Sequence, residues 1–432
     1  MDFPRAPLPR MARVRQQLPD EHLPDVAGAV RDALTQGGLR DRIKPGRRVA
    51  ITAGSRGIAN IQAVIRTVAE EIRSAGAEPF VVPAMGSHGG ATVEGQRAVL
   101  AEYGITEAEV GAPILATMDT FTVGHLDVGT ACYMDRHAWE GDAVVIVGRI
   151  KAHTAFRGDI ESGLCKMLSI GLGKQRGAET VHARGLKDTV PEVASVLLGS
   201  GKVALGLGLV ENAYHKLHTV QAVGPDAFHA TDAELLKLAN GLLPRVPFDH
   251  LDLLIVDELG KNVSGSGMDY NIVGMWRRIG GEKRPDFNQI AVLNITPQSE
   301  GNGLGVGIAG FTNRRVFDQL DLQKTYMNGL TSGALEASKI PIVMASDREA
   351  CEAALKAANP SGPPRVAWIK NTLELEGLLV SEALLPEVAE ISTLVVDGEA
   401  ADLACDASGR FVREGGRVLL TSEAGAAVAA RG

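Results

Sequence analysis

The stretch VVIVGRIKAHTAFRGDIESGLCKMLSIGLGKQRGAETVH, residues 144–182, decides the interpretation of the whole chain. It begins with an apolar run that predicts a β-strand and continues into a loop with Lys151 and His153. A Gly-rich bend and Lys166 follow, and then a segment typical of a helix ends at His182. In α/β folds the loops at the carboxyl ends of parallel strands carry the functional side chains. Two histidines and a lysine on one such connection therefore predict a functional site.

The same order of strand, loop and helix precedes this stretch. RRVAITA (47–53) and FVVPA (80–84) are typical of strands, whereas IQAVIRTVAEEIRSAG (61–76) has apolar residues at the helical period. This alternation predicts a parallel sheet that is covered by helices on both faces. The first two loops carry Arg56 and His88. Because successive strands of such sheets usually lie near one another, we expect both side chains to converge with the loop histidine described above.

The second half of the chain repeats this pattern after a break. LPRVPFDH (243–250) has two prolines and no clear period, and the strand-like runs LDLLIVDEL (251–259) and QIAVLNI (289–295) follow it. We predict an α/β fold of two domains, with mainly parallel sheets and an active-site cleft between them. The predicted domains are an N-terminal catalytic domain, residues 1–247, and a C-terminal domain that closes the cleft, residues 248–432, whose tail 396–432 could pack back on the first domain.

Composition excludes several classes of partner. The formal net charge of −8 argues against nucleic acid or an anionic membrane as the main partner. The four cysteines form no CxxC motif, so neither a disulfide framework nor a cysteine zinc site is indicated. Residues 1–24 are interpreted as a Pro-rich arm without a signal-peptide core, and no apolar run approaches the ~20 residues of a membrane helix. We expect a cytoplasmic protein that acts on a small molecule, and the sequence leaves its oligomeric state open.

Four motifs taken together resemble the nickel-dependent lactate racemase family. They are the loop GSRGIAN with Arg56, the loop GSHGG with His88, the segment RIKAH…SGLCKMLSIGLG with His153 and Lys166, and ETVH with His182. The resemblance covers much of the first half of the chain, whereas the second half is similar only in broad layout. Members of this family racemise or epimerise 2-hydroxy acids. They use a nickel pincer nucleotide, a nicotinic-acid-derived pyridinium with two sulfur arms and one nickel–carbon bond.

The resemblance implies residues that hold this cofactor. Lys166 matches the lysine that tethers the cofactor through a thioamide, and His182 matches the protein ligand of nickel. Carbon, two sulfurs and one imidazole would complete a square-planar geometry, which Ni(II) accepts. Lys174 and Arg176, between these two residues in the sequence, are further candidates for contact with the cofactor phosphate.

The resemblance also implies residues that handle the substrate. His88 and His153 match two acid/base histidines, one for each enantiomer, and the unperturbed pKa of histidine, about 6.5, suits that role. Arg56 matches the arginine that binds the substrate carboxylate, for which a bidentate pair is suitable. Lys261 and Gln298 lie in polar Gly-rich loops of the second half and are candidates for substrate contacts from the second domain.

The chain departs from the family pattern in two places. The first loop is Ala53-Gly54-Ser55-Arg56, where the family usually has Asp-His-Thr-Arg, and the segment between His153 and Lys166 is slightly longer than in the lactate enzymes. The substrate could therefore differ from lactate. Residue types alone leave two alternatives open: a metallohydrolase with a three-histidine zinc site, and a non-catalytic protein that binds a small acid. They also leave open that each histidine only bonds to nearby backbone.

Overall fold

A computed structural model describes residues 3–55, 57–126 and 129–424 of the chain. The chain divides into two compact units. The N-terminal unit is Pro19–Leu243, and the C-terminal unit combines the described parts of Met1–Leu18 and Pro244–Gly432. The boundary near residue 243 lies within the predicted break. Residues 3–18, however, belong to the second unit and not to the predicted domain 1–247.

Strand β1 (Met11–Gln16) explains this difference. It pairs antiparallel with residues 377–381 on one side and with residues 394–396 on the other. Met11 and Ala12 are fully buried in the core of the C-terminal unit. The interpretation of residues 1–24 as a Pro-rich arm was therefore wrong, because the prolines flank a short strand whose partners are distant in sequence.

The N-terminal unit is organised around a five-stranded sheet and a separate two-stranded ribbon. Its strands are β2 (Arg48–Ala53), β3 (Glu78–Pro83), β4 (Thr120–His125), β5 (Ala131–Asp135), β6 (Ala143–Arg149), β7 (Val203–Glu211) and β8 (Leu217–Val223). The order in the main sheet is β3-β2-β6-β7-β8, in which only β8 is antiparallel, and β4 pairs with β5. The predicted parallel α/β sheet is thereby confirmed in this unit.

Helices cover both faces of this sheet. They are α1 (Val26–Gln36), α2 (Leu39–Arg42), α3 (Ile61–Ser74), α4 (Val93–Glu102), α5 (Glu107–Val110), α6 (Arg136–Glu140), α7 (Leu164–Lys166), α8 (Lys174–Arg184), α9 (Leu186–Leu198) and α10 (Phe228–Leu242). Val49 and Ile51 of β2 pack into the core on one face, and Ala50 between them packs into the core on the other. Burial on both faces explains why these strands are continuous apolar runs and do not alternate with polar residues.

The C-terminal unit contains a larger mixed sheet. Besides β1, this sheet contains β9 (His250–Val256), β10 (Asp286–Val292), β11 (Phe311–Asn313), β12 (Ile342–Met344), β13 (Val366–Ile369), β14 (Gly377–Ser381) and β15 (Leu394–Val396). The strands β16 (Arg413–Glu414) and β17 (Arg417–Val418) pair with each other in a separate ribbon. The sheet order is β12-β11-β10-β9-β13-β14-β1-β15; the pairs from β12 to β13 are parallel and the remaining pairs antiparallel. This confirms the α/β character of the second half.

Helices and the tail complete the C-terminal unit. The helices are α11 (Tyr270–Val273), α12 (Trp276–Ile279), α13 (Arg314–Gln319), α14 (Leu322–Ser332), α15 (Asp347–Ala358) and α16 (Leu385–Glu390). The described part of the tail, to residue 424, lies within this unit, where Leu403 bridges Leu420. Residues 425–432 of the predicted tail lie outside the described residues. Within the described parts of the chain, none of the helices has the length and apolar character needed to cross a membrane.

Candidate active site

The predicted site lies at the carboxyl edge of the sheet in the N-terminal unit. A π-helical turn, Met167–Gly171, follows α7. A Cβ on Gly148 would lie 2.9 Å from a side-chain carbon of this turn, one on Gly86 would lie 3.2 Å away, and one on Gly54 would lie 3.4 Å away. These glycines stand at or just beyond the carboxyl ends of β6, β3 and β2. Their missing side chains let the turn pack against three neighbouring strand ends, and π-helical turns are frequent at functional sites.

His153 lies among positive charges in the loop that follows β6. Its pKa is lowered from 6.5 to about 2, first by burial and then by the charges of Lys166, Lys151, His182 and Arg157. The predicted tether Lys166 and the predicted nickel ligand His182 are thus close enough to the predicted acid/base residue His153 for a positive charge on either one to lower its pKa. Phe156 packs against the ring, with 4.7 Å between the ring centroids. The result is a neutral imidazole in a cationic environment, which favours an anionic ligand.

Hydrogen bonds define the tautomer of this imidazole. The backbone N–H of Ala155 donates to Nδ1 of His153 over 3.0 Å. In the neutral ring the proton is therefore on Nε2. The buried Glu161 accepts from the backbone N–H of His153 and from Arg157, whose guanidinium also donates to the His153 carbonyl. Glu161 thus organises this loop, a role that the sequence analysis did not identify.

The neutral ring of His182 has its proton on the other nitrogen from that of His153. It is exposed on α8, and its Nδ1 lies 2.6 Å from the carbonyl oxygen of Ala178, one turn earlier. A carbonyl oxygen only accepts, so Nδ1 carries the proton and the lone pair is on Nε2. A backbone bond of this kind is the usual device that fixes the tautomer of a metal-binding histidine.

His88 is held by a loop that follows β3. The side chain is exposed, and its Nδ1 shares a hydrogen bond with the hydroxyl of Ser55, which comes from the loop after β2. The buried Gln96 donates to the carbonyl oxygens of Gly86 and His88 over 2.9 and 3.3 Å. The loops of β2 and β3 are therefore joined at the predicted acid/base residue.

Lys174 binds the Gln96 side chain that holds this loop, and it is not available to a phosphate because it is fully buried. Its side chain is fully buried, and its ammonium lies 2.9 Å from a carboxylate oxygen of Asp135 and donates to Gln96 Oε1 over 3.1 Å and to the Pro83 carbonyl. The prediction that Lys174 contacts the cofactor phosphate is corrected accordingly. Arg176, by contrast, is exposed on α8, with its guanidinium carbon 5.7 Å from the ring centroid of Tyr133.

Glu211 joins the ends of β6 and β7 to the loop after β2, and it was also missed by the sequence analysis. Standing at the end of β7, it forms an ion pair with Arg149 at the end of β6 and accepts from the backbone N–H of Ala59 over 2.8 Å. Both charged side chains are largely buried. Glu211 therefore anchors the loop 54–60 that contains Arg56. Arg56 itself lies outside the described residues.

The predicted residues of the second half lie in the C-terminal unit. Lys261 is half-buried, and its ammonium donates to the Gly265 carbonyl and, over 2.6 Å, to Asn328 Oδ1. Its backbone N–H donates to Ser299 Oγ over 2.9 Å, so the loops after β9 and β10 meet there. Gln298 is exposed in the 3-10 turn Pro297–Ser299. Their substrate contacts stay predictions.

Within residues 3–55, 57–126 and 129–424, no group of three or more His, Cys, Asp or Glu side chains is arranged to hold a metal ion. The fold and the site together define an α/β protein with a histidine-bearing, cationic centre at the carboxyl edge of a parallel sheet, a suitable place for a small anionic molecule.

Comparison with known proteins finds one family model that matches part of the chain. Residues 8–190 match the model of the lactate racemase N-terminal domain. Among solved structures, the lactate racemase apoprotein from Thermoanaerobacterium thermosaccharolyticum is 15% identical, with a TM-score of 0.48; the match covers 80% of this chain and 85% of that one. No curated protein sequence matches the chain.

Proposed function

We propose that this protein racemises or epimerises a 2-hydroxy acid with a nickel pincer nucleotide attached to Lys166. The observation that carries the proposal is the arrangement around His153, whose buried imidazole lies close enough to Lys166 and His182 to be affected by a positive charge on either one. These are the positions that resemble the tether, the metal ligand and an acid/base residue of the lactate racemase family, whose N-terminal-domain model matches residues 8–190.

The residues of this chain suit the proposed cofactor. His182 offers a single imidazole whose Nδ1 is bonded to Ala178, which leaves Nε2 as the donor atom for a metal. Lys166, half-buried on α7, would supply the amine for the covalent link, and the exposed Arg176 remains a candidate for the phosphate. When bound, the cofactor would accept a hydride from the carbinol carbon of the substrate and return it.

The protein side chains would bind the substrate and move its hydroxyl proton. Lys151 and Arg157, which act on His153, would attract the carboxylate, and Arg56 is the residue that the family resemblance assigns to bind it. His153 holds its proton on Nε2 in this structure and would donate a hydrogen bond from that atom to the substrate oxygen. His88, bonded to a hydroxyl that can either donate or accept, is suited to take up a proton.

Consequently the two histidines are not equivalent in this conformation. His153 becomes a proton acceptor at Nε2 only when its Nδ1 carries the proton, which requires loss of the bond from Ala155. We propose that this exchange of tautomers accompanies turnover in the direction that uses His153 as the base.

The proposal is tested by incubating protein from cells that make the cofactor with enantiopure 2-hydroxy acids in D₂O. Chiral chromatography follows the inversion, and mass spectrometry follows deuterium at the carbinol carbon. Inversion without deuterium at that carbon is expected, because a transferred hydride does not exchange with solvent. Inversion with full deuterium incorporation would show proton abstraction instead, and the absence of inversion for every 2-hydroxy acid would contradict the proposal.

The three-histidine metallohydrolase has no support from the geometry of the described residues, where no cluster of three or more metal-binding side chains is found. A non-catalytic acid-binding protein would still need the cationic loop, but it would have no need of a fixed His182 tautomer. Cytoplasmic localisation stays a prediction.

A further inference from the structure

A buried carboxylate from a different helix holds the start of the segment that carries Lys166. Asp232, on α10, is 2% exposed. Its two carboxylate oxygens accept the backbone N–H groups of Leu164 over 2.8 Å and of Cys165 over 2.9 Å. These are the first residues of α7, and no side chain of the preceding Gly163 caps this helix.

The contact between Asp232 and the start of α7 is closely packed both at Gly163 and at the core face of α10. A Cβ on Gly163 would overlap the carboxylate of Asp232, so the approach depends on a glycine at this position. On the other side, Phe228 and Leu236 of α10 are buried in the same core cluster as Leu164. Neither the helix nor the loop can therefore move without disturbing this core. Burial raises the pKa of Asp232, whereas the two N–H bonds act in the opposite direction.

We infer that Asp232 is a positioning residue that holds the backbone turn of Lys166 in place for attachment of the cofactor. Charge-assisted hydrogen bonds from backbone N–H groups to a buried carboxylate are stronger than bonds between neutral groups, so they hold this turn firmly. The next residue after the two anchored amides is Lys166, and the continuing π-turn and α8 lead to His182. The inference rests on the proposed role of Lys166.

The test uses the full-length chain without cofactor, so that it does not depend on activity. Asp232→Asn keeps the shape but replaces one acceptor by an amide that faces an N–H group, and Asp232→Ala removes both acceptors. Glu234→Gln, which removes a carboxylate from an exposed position of the same helix, is the control. Amide hydrogen exchange is measured for the peptide that contains residues 163–171. The rate of Lys166 acylation by an N-hydroxysuccinimide ester is measured with the exposed Lys237 as an internal reference.

We expect exchange in the 163–171 peptide to rise by about tenfold or more in the Asp232 variants. The ratio of Lys166 to Lys237 acylation should change at least severalfold, whereas Glu234→Gln should match the original chain. Gly163→Ala should reproduce both effects, which keeps the test decisive when Asp232→Ala does not fold. Unchanged exchange and acylation in Asp232→Asn and Gly163→Ala would overturn the inference. A rise in exchange that is equal throughout the N-terminal unit would also overturn the inference, because Asp232 would then stabilise the whole unit and not the turn of Lys166 in particular.

A second arm separates this inference from the proposed function. Protein is prepared in cells that make the cofactor, and the fraction of chains with added mass at Lys166 is measured. A lower fraction in Asp232→Asn than in Glu234→Gln is expected, and equal fractions would overturn the inference. If the original chain acquires no added mass, the proposed function fails, but the exchange and acylation results still decide the role of Asp232.

Discussion

Replacement of Lys174 by methionine tests whether this residue supports the site or binds a phosphate. The ammonium is fully buried 2.9 Å from the Asp135 carboxylate, which is also fully buried, and it holds Gln96 beneath the His88 loop. Lys174→Met keeps much of the side-chain volume but leaves Asp135 as a buried carboxylate without its counter-charge. Removal of one partner of a buried ion pair typically destabilises a protein by about 3–5 kcal/mol.

Urea unfolding followed by circular dichroism and by fluorescence measures this cost, with Trp139 as the reporter within the N-terminal unit. The free energy of unfolding should fall by about 3–5 kcal/mol in Lys174→Met. Lys237→Met, which removes an exposed lysine of α10, should change it by less than about 0.5 kcal/mol. Asp135→Asn in the Lys174→Met background should recover part of the loss, because the uncompensated charge is then absent.

A Lys174→Met variant as stable as the original chain would refute this reasoning. If the same variant also lost cofactor while it kept its stability, the role of Lys174 in binding a phosphate would be restored.

Three further predictions follow from the site. The pKa of His153 is about 2, below its value of about 6.5 in the unfolded chain. The neutral ring therefore contributes stability that is present above about pH 6.5 and is lost as the pH falls from there toward 2. NMR should show a neutral ring at about pH 5, and a ring that protonates near pH 6.5 would contradict this. Glu211→Gln should lower the free energy of unfolding by about 3 kcal/mol in urea titrations, because it leaves Arg149 largely buried without its partner, and an unchanged midpoint would count against the anchoring role of Glu211. His88→Ala and His153→Ala should each lower the rate of inversion at least about 100-fold while the mass at Lys166 is retained, and full activity in either variant would refute the two-histidine scheme.

The sequence predicted the local elements of the N-terminal unit well because their signals are local. Asp25, Thr92 and Thr106 each accept an N–H group from the first turn of the helix that follows, and β2, β3 and β6 are the apolar runs that were predicted. Strand β1 was missed because its stability comes from pairing with residues that are distant in sequence.

The candidate site was predictable only in part, for the same reason. Glu161, Glu211 and Asp232 act through hydrogen bonds to backbone N–H groups, and no motif marks such bonds. One signal was present for Asp232, since its spacing from Phe228 and Leu236 places a carboxylate on the apolar face of α10. A carboxylate at such a position indicates a buried hydrogen-bond or ionic partner. The burial of Lys174, by contrast, could be predicted only together with that of its partner Asp135.

The most direct measurement of the central claim combines intact-mass, peptide and nickel analysis of protein purified from cells that make the cofactor. We predict added mass at Lys166, about one nickel per chain, and a His182→Ala variant that keeps the added mass but loses most of the nickel. A preparation that inverts a 2-hydroxy acid with Lys166 unmodified and without nickel would contradict the claim.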